Sequence, residues 1–168
     1  MKAKGVTTMP ETEYVIEPGK QEIITTVVLD APRELVFKAY TDPKLFAQWW
    51  GPRQYTNEID KFDARQGGEW RVIQRAPDGG EYVFRGVHHE VTAPERLVVT
   101  FEYEGVPGHV ALQVATFEPL GSKTRLVTKS VFESVADRDG MVAAGMRQGA
   151  DESMERLAEL LDSLKKGK

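Results

Sequence analysis

Three histidines, five serines and two close carboxylate pairs are the side chains in this sequence best suited to acid, base or nucleophile chemistry. His88 and His89 are adjacent in FRGVHHEVT, a run that reads as a strand, so regular geometry points them to opposite faces. Unless a bulge intervenes they cannot share one metal ion, and no HxH or HExxH spacing occurs with them or with His109. Ser122, Ser130, Ser134, Ser153 and Ser163 all lie outside any GxSxG elbow. Glu58 with Asp60, and Glu102 with Glu104, each share a strand face. Such pairs read as solvated faces, because an acid/base dyad needs burial to separate its two pKa values. His88 and Glu90 remain as candidate acids or bases, on condition that they face inward with perturbed pKa values. The chain has no cysteine, which removes thiolate catalysis, disulfides and cysteine-based zinc sites together. The glycines of RQGGEW and GVPGH fall between strands rather than at a strand-to-helix junction, so no phosphate cradle is expected. No metal and no cofactor is implied.

The elements that would position these residues begin at QEIITTVVLD, where β-branched residues alternate and predict a strand. Asp30-Ala31-Pro32 starts a short helix, and Asp42-Pro43 starts a second, with Asp42 as its N-cap. On that second helix Leu45 and Trp49 are four apart, as are Phe46 and Trp50, and the two rows make a broad apolar face. Gly51-Pro52 ends it. One Trp is expected to anchor the helix to a sheet, and Trp50 to border a pocket mouth. Strand after strand follows, through YTNEIDKFDAR, GEWRVIQRA, EYVFRGVHHEVT, RLVVTFEYE, HVALQVATFEPL and TRLVTKSVF. The turns between them are rich in Gly and Pro, and Gly86 reads as a bulge or bend. Met146, Ala150, Leu157, Leu161 and Leu164 then form one stripe of a long C-terminal helix that must bury itself on the sheet.

This order predicts an α+β fold: a curved antiparallel sheet of six to seven strands around a long C-terminal helix, with two short helices after the first strand. Residues 1–20 are expected to be a tail or irregular arm, with Tyr14, Val15 and Ile16 as an edge segment, and residues 21–166 the domain. Strand parity turns Trp70, Tyr82, Phe84, Phe101, Tyr103, Leu112 and Val114 towards the helix, opposite Met141, Met146 and Met154. Gln74, His88, Thr128 and Ser130 share the inward faces, and buried polar groups need partners. With Trp50, the aromatic, aliphatic, Met and His88 positions are the expected ligand-binding residues.

The runs APRELVFKAYTDPKLFAQWWGP, RQGGEW, FRGVHHEVTAPERLV and GMRQGADESMERLAELL resemble the AHSA1-like (activator of Hsp90 ATPase homologue 1-like) branch of the START/Bet v 1-like, or SRPBCC, superfamily. The resemblance implies a helix-grip fold with a cavity between sheet and helix. It also implies binding of lipids, sterols, polyketides or plant hormones, polyketide cyclisation in some members, or a chaperone-associated role. The Hsp90 co-chaperone carries a further N-terminal domain, for which the residues preceding the match are too few.

The expected function is non-catalytic binding of a small, largely apolar or aromatic molecule in that cavity. The alternatives are a cyclase- or hydrolase-like enzyme in the same cavity and a module for a protein partner. With 22 Lys+Arg against 26 Asp+Glu, a formal net of −4, nothing favours a nucleic-acid partner. Neither a signal-peptide pattern nor a membrane span is expected, and cytoplasm is the default location.

Overall fold

The computed structural model describes residues 9–167. In chain order the elements are β1 (Glu13–Val15), β2 (Glu22–Leu29), α1 (Arg33–Thr41), α2 (Pro43–Trp49), β3 (Thr56–Phe62), β4 (Glu69–Arg75), β5 (Glu81–Thr92), β6 (Arg96–Tyr103), β7 (Val110–Leu120), β8 (Lys123–Val131), α3 (Val135–Ala143) and α4 (Met146–Lys166). Strands β3 to β8 pair antiparallel in sequence order, and β2 closes on β8, giving one sheet in the order β1-β2-β8-β7-β6-β5-β4-β3. The sheet and the long α4 make the expected α+β, helix-grip arrangement. Its strand count is eight, because Glu13–Val15 pairs with Ile24–Thr26 of β2 as an additional edge strand.

Local chemistry explains the helix starts. The Asp42 carboxylate accepts from the backbone N–H groups of Lys44 (2.9 Å) and Leu45 (3.3 Å), and Pro43 supplies the preset φ of a first helical residue. α3 was not expected from the sequence. Its residues, VADRDGMVA, carry little apolar periodicity, and Gly140 weakens a helix interior. The signal that does mark it is Ser134, whose hydroxyl accepts from the Asp137 N–H at 3.0 Å. Gly145, with φ 88°, turns the chain from α3 into α4 through a conformation that other residues adopt only with strain.

The main core lies between α1, α2 and α4 and the inner face of the sheet. Val36, Ala39, Trp49, Val72, Phe117, Leu126, Leu157 and Leu161 are among its most buried members. A second cluster of Ile23, Ala111 and Phe132 is covered by Met141, Val142 and Met146. Register shows which residues share the inner face of β7. Leu97 pairs with Ala115, Val99 with Gln113 and Phe101 with Ala111, so Ala111, Gln113, Ala115 and Phe117 face α4. Leu112 and Val114 therefore lie on the outer face, against expectation, and Leu112 is 39% exposed.

Gly86 also differs from its expected role. The register shift in β5–β6 falls between His88 and Glu90. At Gly86 the Trp70 indole crosses β5 instead, and its N–H donates to the Thr100 carbonyl at 3.1 Å. A Cβ on Gly86 would stand 1.8 Å from that oxygen and 2.5 Å from Trp70 Nε1.

Candidate functional site

Between α4, α2 and the inner face of the sheet lies a cavity of about 220 Å³. That exceeds the roughly 150 Å³ of an engineered apolar cavity that takes benzene. It is just below the usual range for drug-sized ligands, roughly 300–1,000 Å³. The wall on the β3–β6 side is aromatic, formed by Phe46, Trp49, Trp50, Phe62, Trp70 and Phe101.

The adjacent tryptophans have different surroundings. Trp49 is 2% exposed, and its indole N–H donates to the Ala39 carbonyl at 2.9 Å, tying α2 to α1. Trp50 is half-buried. Its ring stacks on Phe46 (centroids 5.4 Å apart) and meets Phe84 (5.2 Å) and Trp70 (5.9 Å) edge-on. Such pairs stabilise beyond the area they bury, so the wall is a braced surface.

The backbone at Trp50 is held from α4. The Arg156 guanidinium donates to the carbonyls of Gln48, Trp50, Gly51 and Pro52 over 2.9–3.2 Å, and the Ser153 hydroxyl accepts from the Gly51 N–H. Asn57 adds donors to the Ala47 and Trp50 carbonyls. These groups satisfy the carbonyls that the end of α2 leaves unpaired. Burial, aided by the Arg53 charge, pushes the Arg156 pKa down from its ordinary value.

The β2–β8–β7 side of the cavity carries a polar patch beside Val27, Leu126 and Ala115. Thr25 pairs with Thr128, and Gln113 with Ser130, so these four side chains form one patch on the inner face. Thr12, preceding β1, also lines the cavity; its hydroxyl oxygen is fully buried and has no hydrogen-bond partner among the described residues.

His88 is 2% exposed on the cavity, whereas His89 is exposed on the other face. His88 Nδ1 lies 3.3 Å from the Gly68 carbonyl oxygen. Desolvation lowers the His88 pKa, outweighing the Gly68 and Asp63 backbone acceptors and the Asp63 charge. Burial raises that of the Tyr40 phenol, also on the cavity. Both are therefore neutral near pH 7.

The remaining candidates for chemistry lie elsewhere. Glu90 accepts from the Thr92 hydroxyl and pairs with Arg96, away from the cavity. Glu58 pairs with Arg75, Asp60 and Glu104 with Arg71, and Glu102 with Arg85. These carboxylates were expected on solvated strand faces; each is ion-paired with arginine, with Glu102 and Glu104 largely covered.

Of the expected ligand-binding residues, the fold brings Trp50, Trp70, His88, Phe101, Met146 and Met154 to the cavity. Six are placed elsewhere. Leu112 and Val114 face outward by register. Tyr82 has inward parity but stands towards the strand end, 38% exposed, and Tyr103 lies beside it. Phe84 is behind Trp50, bracing the wall. Met141 is on α3 over the second cluster. Sequence reasoning missed Phe62, Gln113, Thr12 and Thr25 as lining residues. For Gln113 a signal existed: on its own face of β7 it is a polar residue flanked by Ala111 and Ala115.

Comparison with known proteins agrees with this architecture. The profile of the family "Activator of Hsp90 ATPase homolog 1-like protein" matches residues 30–162. A search of curated proteins gave no match. Among solved structures, a protein from Arthrobacter aurescens has TM-score 0.84 at 23% identity, covering 90% of this chain and 91% of its own. One from Nitrosomonas europaea has TM-score 0.79 at 25% identity, covering 90% and 99%. The AHSA1 protein from Silicibacter pomeroyi has TM-score 0.72 at 21% identity, covering 86% and 99%. No helix among the described residues is long and apolar enough to cross a membrane. With its profile match spanning most of the sequence, the chain belongs to the Activator of Hsp90 ATPase homolog 1-like family.

Proposed function

We propose that the chain binds a small, largely apolar molecule in the cavity between the sheet and α4, without converting it chemically. The observation that carries this reading is the cavity's composition: a rigid aromatic wall facing hydrogen-bonding groups that the protein itself leaves open. Apolar area removed from water on such a wall contributes about 25 cal/mol per Å². The family suggests ligand-binding or polyketide cyclase-like roles, and the binding role is the one these residues support best.

Trp50, Trp70, Phe101, Met146 and Met154 are assigned to apolar contact and His88 to a neutral polar one. The catalytic reading has one observation in its favour, the buried His88 with its lowered pKa. Among the described residues no Asp or Glu lines the cavity to act with it.

The test is a titration of nitrogen-labelled protein with small aromatic hydrocarbons, alcohols and ketones, following the indole N–H signals. Saturable shifts at Trp50 and Trp70 are expected, with Trp49 less affected. Val99→Phe, which projects a ring into the cavity, should abolish them while leaving the fold intact by circular dichroism. Shifts that persist in Val99→Phe place binding outside the cavity and refute the assignment. Turnover of a bound compound that disappears in His88→Gln would replace the binding reading with the catalytic one.

A further inference from the structure

The two sides of the cavity divide along the sheet. The aromatic side chains come from α1 (Tyr40), from α2 and its C-cap Trp50, and from β3, β4 and β6, while Thr25, Thr128, Ser130 and Gln113 come from β2, β8 and β7. The sheet order β2-β8-β7-β6-β5-β4-β3 keeps these groups apart, so the cavity has an apolar end and a polar end. None of those four polar side chains hydrogen-bonds a protein group among the described residues. The Thr12 hydroxyl is in the same condition and is wholly buried. Thr25, Gln113, Thr128 and Ser130 are half-buried and keep access to the cavity. Leaving the wholly buried Thr12 hydroxyl unmatched, by contrast, is unfavourable, since nearly all such groups in folded proteins find a partner.

The position of Thr12 is held from outside the cavity. Two residues on, the Tyr14 hydroxyl donates to Asp151 at 2.6 Å, and Arg147 of α4 lies over its ring at 5.1 Å. Tyr14 also pairs with Thr25 of β2 in the β1–β2 ladder. The segment thus straps β2 to α4, with Thr12 and Tyr14 on its inner side and Glu13 and Val15 exposed.

Among the described residues the cavity's lining includes no Lys, Arg, Asp or Glu. An ionised ligand would lose its hydration there without meeting a counter-charge, which is strongly unfavourable. Hydroxyls and a carboxamide, by contrast, both donate and accept, and they match neutral groups of either kind.

We propose that the ligand is an uncharged amphipathic molecule, with a ring-sized apolar body on the Trp50–Trp70–Phe101 wall and a hydroxyl, carbonyl or amide group held by Thr25, Thr128, Ser130, Gln113 and the strap residue Thr12. This rests on the ligand-binding reading above and narrows it to a chemical class.

Three ligands that share one ring system test it: naphthalene, 2-naphthol and 2-naphthoate, titrated against the wild-type chain, Thr128→Val and Thr12→Val. Each substitution keeps the side-chain shape and removes the hydroxyl. The wild type should bind 2-naphthol about three- to tenfold more tightly than naphthalene, the range one neutral hydrogen bond provides. It should bind 2-naphthoate at least about a hundredfold more weakly than 2-naphthol. Each variant should reduce the preference for 2-naphthol over naphthalene, with naphthalene affinity unchanged within about twofold. Equal affinity for naphthalene and 2-naphthol, tight binding of 2-naphthoate, or a preference unchanged in both variants overturns the proposal while leaving the cavity a binding site. Binding of none of the three refutes the ligand-binding reading, and this inference with it.

Discussion

Substituting Gly86 by Ala tests the packing of β4 to β6 beneath the cavity. An added Cβ would lie 1.8 Å from the Thr100 carbonyl oxygen, 2.5 Å from Trp70 Nε1 and 2.7 Å from the Thr100 carbonyl carbon, whereas ordinary contact begins near 3.4 Å. Two of the three contacts are backbone, so no flexible side chain can swing aside. Either β6 moves away from β5 by more than an ångström, or Trp70 gives up its 3.1 Å hydrogen bond to Thr100. Overpacking of this kind costs about 1–3 kcal/mol, and a lost hydrogen bond adds about 1 kcal/mol. A destabilisation of about 3 kcal/mol follows, which for a chain of this length lowers Tm by roughly 6–12 °C. Gly140→Ala is the matching control. A Cβ there meets nothing within 4 Å, and the position is inside helix α3. It should stabilise by about 0.5–1 kcal/mol. Thermal and urea unfolding followed by circular dichroism read both variants, and the Trp70 indole N–H signal should move in Gly86→Ala. A Gly86→Ala protein within about 0.5 kcal/mol of wild type, with that signal unmoved, would refute the account of why β5 carries glycine here.

Arg156→Met should cost about 2–3 kcal/mol in urea unfolding, because it leaves the carbonyls of Gln48, Trp50, Gly51 and Pro52 without their shared charged donor. Arg156→Lys should not restore the loss, since one ammonium cannot reproduce the planar fork; full rescue by Lys would show that charge alone matters. The two partnered histidines should act oppositely with pH. The hydrogen bond and charge of Asp137 raise the His109 pKa, so its contribution is complete below about pH 6.5 and lost as pH rises through the folded value. Wild type should therefore gain most over His109→Gln in mildly acidic solution, and a pH-independent difference would exclude the ion pair as its source. Desolvation lowers the His88 pKa, so neutral His88 supports the fold fully above about pH 6.5, and stability declines as pH falls towards the folded value. A His88 ring resonance titrating above 6.5 by NMR would contradict that environment.

The fold was legible wherever one rule acted alone. Asp42-Pro43 announced α2 because the cap and the preset φ need only local sequence. The alternation of Trp70, Val72 and Gln74 set the inner face of β4, and all three are buried. α3 was hidden because its stability is tertiary. Arg138, only 3% exposed, donates to the Glu17 and Glu22 carbonyls, and Met141 covers Ile23. No periodicity within nine residues records such partners. Gly86 was misread for a related reason: a glycine required by close approach of another strand's side chain looks the same in sequence as one required by a bulge.

The inversion of β7 shows why the site was harder to read than the fold. Its two alternating sets are Val110, Leu112, Val114, Thr116 and Ala111, Gln113, Ala115, Phe117, and hydrophobicity alone favours the first for the interior. The fold places the second inside. A filled core would favour the larger side chains, but a sheet that leaves space beneath α4 needs a small one on its floor, and Ala115, which lines the cavity, is only 6% exposed; Ala111 packs in the second cluster instead. Leu112 and Val114 are left to the outer face, where part-exposed apolar side chains are tolerated singly. The same trade brings Gln113 inward beside Ser130, where a leucine would have filled the cavity's polar end. In this chain the proposed binding site is written less by its aromatic residues, which a solid core would also contain, than by the places where an inward-facing strand position is small or polar.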